Sequence, residues 1–170
     1  MTEDIVKSAA ISKCGTYRYH LGRRWSDNPK TALFVMLNPS TADASEDDAT
    51  IRRCKSFAKA WGCGALSVVN LFAFRATDPR DMKAAADPVG PDNEQHFKAA
   101  LTGLGGGPVV CAWGNHGDWQ NQCTVALKWI RDMGLQPMAL KVSKISGQPS
   151  HPLYLKKGLM PQPFGYGGNR

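Results

Sequence analysis

The sequence lacks the cysteine and histidine patterns that build disulfide frameworks or metal sites. It has five cysteines, an odd number, and no two of them form a C-x-x-C pair. Disulfide-stabilised small folds and zinc ribbons depend on such pairing, so the cysteines indicate neither. The four histidines are also scattered, with no two spaced four residues apart as in a helical metal site. We therefore predict no metal and no cofactor.

The sequence also lacks a long apolar run, and we expect no leader. Its first seven residues, MTEDIVK, do not form a basic start followed by an apolar core, and no later run has the length of a membrane span. We expect a cytoplasmic protein that makes no membrane contact. Its 170 residues, 42% of them apolar, suffice for one globular domain over residues 1–170, which we expect to be monomeric.

Positive charge is in excess. Lysine and arginine number 21 against 14 acidic residues, which gives a formal net charge of +7 and a pI near 9.3. This balance suits a polyanionic partner such as nucleic acid, although charge alone does not require one.

Apolar runs alternate with helical patterns along the chain. Short apolar runs predict buried strands over 32–37, 65–71, 108–113 and 137–142, and the alternating segment 17–21 predicts an edge or antiparallel strand. Apolar residues recur at helical spacing in three segments, which begin near residues 50, 92 and 119, and each segment predicts a helix. Strands separated by helices predict an α/β fold, namely a three-layer α/β/α sandwich with a central, mostly parallel sheet. We expect the Gly- and Pro-rich segment 161–170 to be a loosely ordered tail.

Polar residues follow several of the predicted strands. Asn38 and Asn70 end the first two buried strands, a Gly-Asn-His turn follows the third, and His151 lies in a loop before Pro152. Because ligands of parallel sheets bind beyond the carboxyl ends of the strands, we expect these residues to share one edge of the molecule. Pro39 restricts Asn38 to extended geometry, so its amide could orient a water, or it could simply form a turn with its own backbone.

An acidic loop over 43–48 has two interpretations. Clustered carboxylates could bind magnesium for phosphoryl or nucleotide hydrolysis. Alternatively, Ser45 or Asp47 caps the following helix, and the acids favour its positive end. We favour the cap.

The motifs resemble known families. Segments 36–43, 47–54, 69–72, 112–114 and 151–155 resemble the bacterial family known as domain of unknown function 1643. Their order is also similar to that of the uracil-DNA glycosylase superfamily: a strand ending in Asn-Pro or Asp-Pro, a strand ending in Asn, a strand ending in Trp-Gly, and a His-Pro loop. This resemblance implies a uracil-DNA-glycosylase-like fold and a monofunctional DNA glycosylase.

The resemblance also implies roles for individual residues. Asn38 would position the attacking water, Asn70 would read the base edge, and His151 would hydrogen-bond the departing base. Asp43 is a weaker candidate for a catalytic base, because the amide of Asn38 cannot accept a proton near neutral pH. The remaining candidates are Pro39, Ser40 and Phe72 for substrate binding, with Phe72 stacking on the base, and Arg52, Arg53, Leu153, Tyr154, Lys156 and Lys157 for DNA binding.

One departure bears on the substrate. Ser40 and Thr41 follow Pro39 where uracil-specific enzymes place an aromatic residue, which predicts a roomier pocket. We expect a flipped, modified pyrimidine, such as the hypermodified or glucosylated cytosine of phage DNA, and a role in antiviral defence. The alternatives are a nucleic-acid-binding module without catalysis and a metal-dependent nucleotide hydrolase.

Overall fold

The computed structural model describes residues 4–40 and 42–165. Its helices and strands alternate along most of the chain. The strands are β1 (Val6–Ile11), β2 (Arg18–Arg24), β3 (Thr31–Met36), β4 (Ala65–Asn70), β5 (Val109–Cys111), β6 (Pro137–Ala139) and β7 (Gln162–Pro163). The helices are α1 (Ala49–Ala60), α2 (Pro79–Ala84), α3 (Asn93–Leu101) and α4 (Gln122–Asp132).

The strands form one mixed sheet in the order β1-β2-β4-β3-β5-β6-β7. Strands β4, β3, β5 and β6 are parallel to their neighbours in that series, whereas β1, β2 and β7 pair antiparallel. The predicted α/β class is confirmed, but the prediction of a mostly parallel sheet is wrong, because half of the strand pairings are antiparallel. The difference comes from β1 and β7, whose largely exposed sequences give no strand signal, and β1 also makes β2 an interior strand.

The helices cover both faces of the sheet. Helix α1 buries Ile51, Cys54 and Phe57 against one face, as its helical spacing predicts. Helices α2, α3 and α4 bury Met82, Phe97, Ile130 and their neighbours against the other face. The two apolar clusters make the parallel strands inaccessible, which explains their continuous apolar sequences.

The order of the strands opens a crevice at one edge of the sheet. The chain runs from β3 through α1 to β4 on one side of β3, and then through α2 and α3 to β5 on the other side. Strand order therefore reverses next to β3, which is where open α/β sheets bind ligands. The start of α1 and a 3₁₀ turn at Pro152–Tyr154 lie against each other above this edge.

The segment predicted to be a loose tail is partly ordered. Gln162 and Pro163 form β7, and Phe164 is buried with its ring 6.0 Å from that of Trp113. For residues 161–165 the prediction is therefore wrong, because Phe164 lies within this Gly- and Pro-rich segment and anchors it by packing against Trp113. Residues 166–170 lie outside the described part of the chain. Among the helices described, none has the length and apolar character needed to cross a membrane.

Candidate active site

A cavity of about 620 Å³ lies at the carboxyl edge of the parallel strands. Four neighbouring strands contribute to its wall: Arg18 begins β2, Asn70 ends β4, and Asn38 and Trp113 follow β3 and β5. The first turn of α1 and the loop carrying His151 complete it. Its volume lies within the range of small-molecule sites, roughly 300–1,000 Å³. The predicted meeting of Asn38, Asn70, the Gly-Asn-His turn and His151 in one place is confirmed.

Asn38 is held by the loop that follows β4. Its Nδ2 donates to the carbonyl oxygen of Ala76 at 2.7 Å and, less closely, to those of Pro39 at 3.2 Å and Phe74 at 3.5 Å. These bonds fix the orientation of the amide, because only the NH₂ group can donate to carbonyls. The amide therefore does more than close its own turn, and its oxygen remains an acceptor at the cavity wall.

Pro39 and Ser40 also line the cavity, as predicted. Pro39 is buried, and its carbonyl accepts the backbone N–H of Ala76 at 2.9 Å. The hydroxyl of Ser40 lies 3.3 Å from that of Thr77. These bonds connect the loops after β3 and β4 and so fix the position of Asn38.

Asn70 is the most unusual polar residue of the cavity. It is fully buried, and within the described chain neither its Nδ2 nor its Oδ1 has a hydrogen-bond partner. Leaving a buried polar group unpaired costs about 1–3 kcal/mol, so such groups are rare unless a ligand or water satisfies them. An amide that is free at both ends can both donate to and accept from one bound molecule.

His151 is half-buried and has a defined tautomer. Its Nδ1 accepts the backbone N–H of Leu153 at 3.2 Å, which leaves the proton of the neutral ring on Nε2. Burial lowers the pKa of His151 below its usual 6.5, and the nearby Asp48 carboxylate only partly opposes this. The ring is therefore neutral at pH 7 and can donate one hydrogen bond from Nε2.

Two charged residues line the cavity without having been predicted to lie there. Arg18 is 2% exposed, and its Nη1 donates to the carbonyl of Ala42 at 2.8 Å, but its Nε is buried with no partner among the residues described. Burial lowers the pKa of Arg18 to about 10, and Asp48 acts in the opposite direction. Asp48 also lines the cavity and caps α1, accepting the N–H of Ile51 at 2.9 Å. The predicted caps, Ser45 and Asp47, precede the true one.

Asp43 does not line the cavity. Its Oδ1 accepts the N–H groups of Ser45 and Glu46, both at 2.8 Å, and these bonds lower the pKa of the carboxyl. Its local role is to close a turn in the acidic loop. The geometry thus removes the structural basis for Asp43 as the catalytic base.

Phe72 is not available for stacking. It is fully buried in the apolar cluster beneath α4, with its ring 5.4 Å from that of Trp119, and is absent from the cavity wall. The prediction is wrong because Phe72 packs into the apolar cluster under α3 and α4 and does not face the cavity. The aromatic residues that do line the cavity are Trp113 and Tyr154. A Cβ at Gly117 would lie 1.9 Å from the Trp113 ring, so that position admits only glycine.

The residues predicted to bind DNA differ in exposure and in whether their side chains are already hydrogen-bonded. Leu153 is 39% exposed and Tyr154 is 83% exposed, and both lie at the cavity. Lys156 and Lys157 are exposed nearby. In contrast, Arg53 is half-buried and donates to the carbonyl of Leu155, so its role is to hold the His151 loop against α1.

The remaining predicted DNA contact, Arg52, is exposed and donates to the carbonyl of Asp47 at 2.9 Å.

The carboxylates of the acidic loop do not face one common point. Asp47 pairs with Arg23 and Lys55, while Asp43 and Asp48 accept backbone N–H groups. Within residues 4–40 and 42–165, no three His, Cys, Asp or Glu side chains are grouped as metal ligands would be.

Comparison with known proteins gives a family but no activity. The chain matches the family described as protein of unknown function (DUF1643) over residues 18–153, and it therefore belongs to that family. The match includes Arg18, Asn38, Asp48, Asn70 and His151. No curated protein and no solved structure matches the chain. The likeness to uracil-DNA glycosylases thus remains a prediction from short motifs.

Proposed function

We propose that this member of the DUF1643 family is a DNA glycosylase that hydrolyses the N-glycosidic bond of a flipped, modified pyrimidine and leaves an abasic site. The observation that carries the proposal is the unpaired, buried amide of Asn70 in the same cavity as Asn38 and His151. A pyrimidine presents a donor and an acceptor side by side on its pairing edge, which matches both ends of that amide.

The other two residues suit the bond that breaks. Glycosidic cleavage builds positive charge on the sugar and negative charge on the departing base. A neutral His151 with its proton on Nε2 can donate to a base oxygen, as an oxyanion-hole donor does. The fixed carboxamide of Asn38 offers an acceptor that holds a water near the sugar.

The cavity and its surroundings favour a bulky base in DNA. A volume of about 620 Å³ exceeds what one unmodified pyrimidine ring fills, and Ser40 rather than an aromatic side chain follows Pro39. The exposed Leu153 and Tyr154 would fill the gap left by the flipped base, and Lys156 and Lys157 would contact phosphates. Hypermodified or glucosylated cytosine of phage DNA fits this description and gives a role in antiviral defence.

The proposal is tested by screening for alkali-labile abasic sites. Purified protein is incubated with duplexes containing uracil, mismatched bases or phage-modified cytosines, in parallel with the Asn38→Ala and His151→Ala variants. We expect abasic sites in modified DNA and a large loss of activity in both variants. Abasic sites in the uracil duplex alone would contradict the proposal that the substrate is a modified pyrimidine. The absence of abasic sites in every duplex would contradict the proposal that the protein is a DNA glycosylase.

A further inference from the structure

The proposed reaction needs a group that accepts a proton from the attacking water. The carboxamide of Asn38 can orient that water but cannot take its proton near neutral pH. Asp43 lies outside the cavity, with Oδ1 engaged by two backbone N–H groups. Among the described residues that line the cavity, Asp48 is the single carboxylate.

Asp48 is held in a fixed position with one oxygen to spare. Its backbone is extended at φ −91° and ψ 179°, and Oδ1 accepts the Ile51 N–H at 2.9 Å as the N-cap of α1. Oδ2 makes no hydrogen bond to any described residue.

Independent evidence points to a ligand beside this carboxylate. Six described residues bury side-chain nitrogen or oxygen atoms without a partner, and two of them, Arg18 and Asn70, line this cavity. Both are at most 2% exposed. The cavity wall thus holds the carboxylate of Asp48 together with the unpaired buried groups of Arg18 and Asn70. The role of Asp48 as the cap of α1 does not explain these unpaired groups.

We infer that Asp48 is the catalytic base of the proposed glycosylase, an inference that rests on the proposed function. The water held by Asn38 gives a proton to Oδ2 of Asp48 as its oxygen bonds to C1′ of the deoxyribose. The C1′–N bond breaks and its electron pair leaves with the base, which His151 stabilises through Nε2–H. The departed base takes a proton from solvent, and Asp48 returns its proton to solvent.

The decisive variant is Asp48→Asn. Asparagine caps helices about as well as aspartate, so the fold and the DNA affinity are retained while the base is lost. We expect kcat on the cleavable duplex to fall by about 10²–10⁴-fold, the usual contribution of a general base. We expect an unchanged Tm and an unchanged Kd for a duplex that carries a 2′-fluorinated, non-cleavable nucleotide. Asp78→Asn, the same change at the cap of α2 outside the cavity wall, controls for the loss of a capping charge.

A second variant separates catalysis from structure. Asp48→Ala opens space for a small carboxylate, so added formate should restore part of its kcat, which a purely structural residue would not allow. A kcat for Asp48→Asn within tenfold of the parent, or a larger loss for Asp43→Asn than for Asp48→Asn, would overturn the inference alone. A parent protein that releases no base from any duplex would overturn the proposed function and this inference with it.

Discussion

Strand β2 buries two arginines whose surroundings differ. Arg23 is 1% exposed, and its Nε, Nη1 and Nη2 all donate, to Asp47 at 2.8 Å and to backbone carbonyls such as that of Gly22. Arg18, five residues earlier, is equally buried but leaves Nε unpaired beside the cavity. Lys55 bridges Asp47 and Asp4 in the Arg23 network, while the side-chain amide of Asn70, which lines the same cavity as Arg18, has no hydrogen-bond partner among the described residues. The contrast separates the ion-paired network around Arg23 from the cavity-lining groups that we propose serve a ligand.

The largest effect on stability is expected in the Arg23 network. Arg23→Met removes one of the two cations that pair with Asp47 and leaves buried backbone carbonyls such as that of Gly22 without their donor, and each buried polar group left unpaired costs about 1–3 kcal/mol. Arg18→Met should lower the free energy of unfolding by less, because Arg18 makes fewer hydrogen bonds. Urea unfolding measures both, with Arg80→Met in an exposed ion pair as the control that changes little. If Arg18→Met lowered the free energy of unfolding more than Arg23→Met does, the proposed difference between the two arginines would be contradicted.

The next effect is a loss of activity expected at His151. His151→Ala should lower kcat by about 10²–10³-fold, roughly 3–4 kcal/mol, which is the usual cost of removing one oxyanion-type donor. Tm should fall only slightly, since the side chain makes one hydrogen bond, to Leu153. His151→Gln, which keeps a side-chain donor, should recover part of the rate. Equal rates for the alanine variant and the parent would remove His151 from the chemistry.

The pH dependence of unfolding tests a buried histidine, His20, that lies outside the cavity wall. Burial lowers the pKa of His20 from 6.5 to about 4, with smaller contributions from His96 and Arg18. The unfolded chain therefore binds this proton at a higher pH than the folded chain. Stability present above pH 6.5 is lost as the pH falls toward 4, by up to roughly 3 kcal/mol. His20→Asn should flatten the pH dependence of urea unfolding over this window, and an unchanged slope would contradict the assignment.

The smallest effect is expected from the exposed lysines near the cavity. Replacing Lys156 and Lys157 with alanine should weaken DNA binding modestly and reduce the slope of log K against log salt by about 0.9 for each phosphate that the protein no longer neutralises. Fluorescence anisotropy at several salt concentrations measures this slope. Lys128→Ala on α4, which packs on the opposite face of the sheet, is the matched control. If the parent, the double lysine variant and Lys128→Ala all gave the same slope, Lys156 and Lys157 would not contact DNA phosphates.

Most of the parallel part of the fold could be predicted from the sequence. The buried strands around Phe34 and Val68 are continuous apolar runs, and the stripe from Ile51 to Trp61 has helical spacing, so their local patterns suffice. Strand β1 and the short β7 could not be predicted, because their residues are largely exposed and the strands are held by backbone pairing with β2 and β6. Tertiary partners rather than local sequence decide such edge strands.

The site was partly predictable for a related reason. Asn38, Asn70 and His151 could be found because each lies next to a recognisable motif at a strand end or loop. Arg18 and Asp48 could not, because an arginine in an antiparallel strand and an aspartate in an acidic loop give no local sign of facing a cavity. Phe72 was misplaced because the local sequence does not show which side of the sheet its side chain packs on.

The most direct test of the account is Asn70→Leu, with stability and activity measured on the same sample. If the buried amide is kept for a ligand, an apolar side chain of similar size removes an unpaired polar group. The free energy of unfolding should then stay equal or rise by about 1–2 kcal/mol, while abasic-site formation is abolished. A protein that is clearly destabilised yet keeps its activity would contradict the claim that the cavity's unpaired groups serve the substrate.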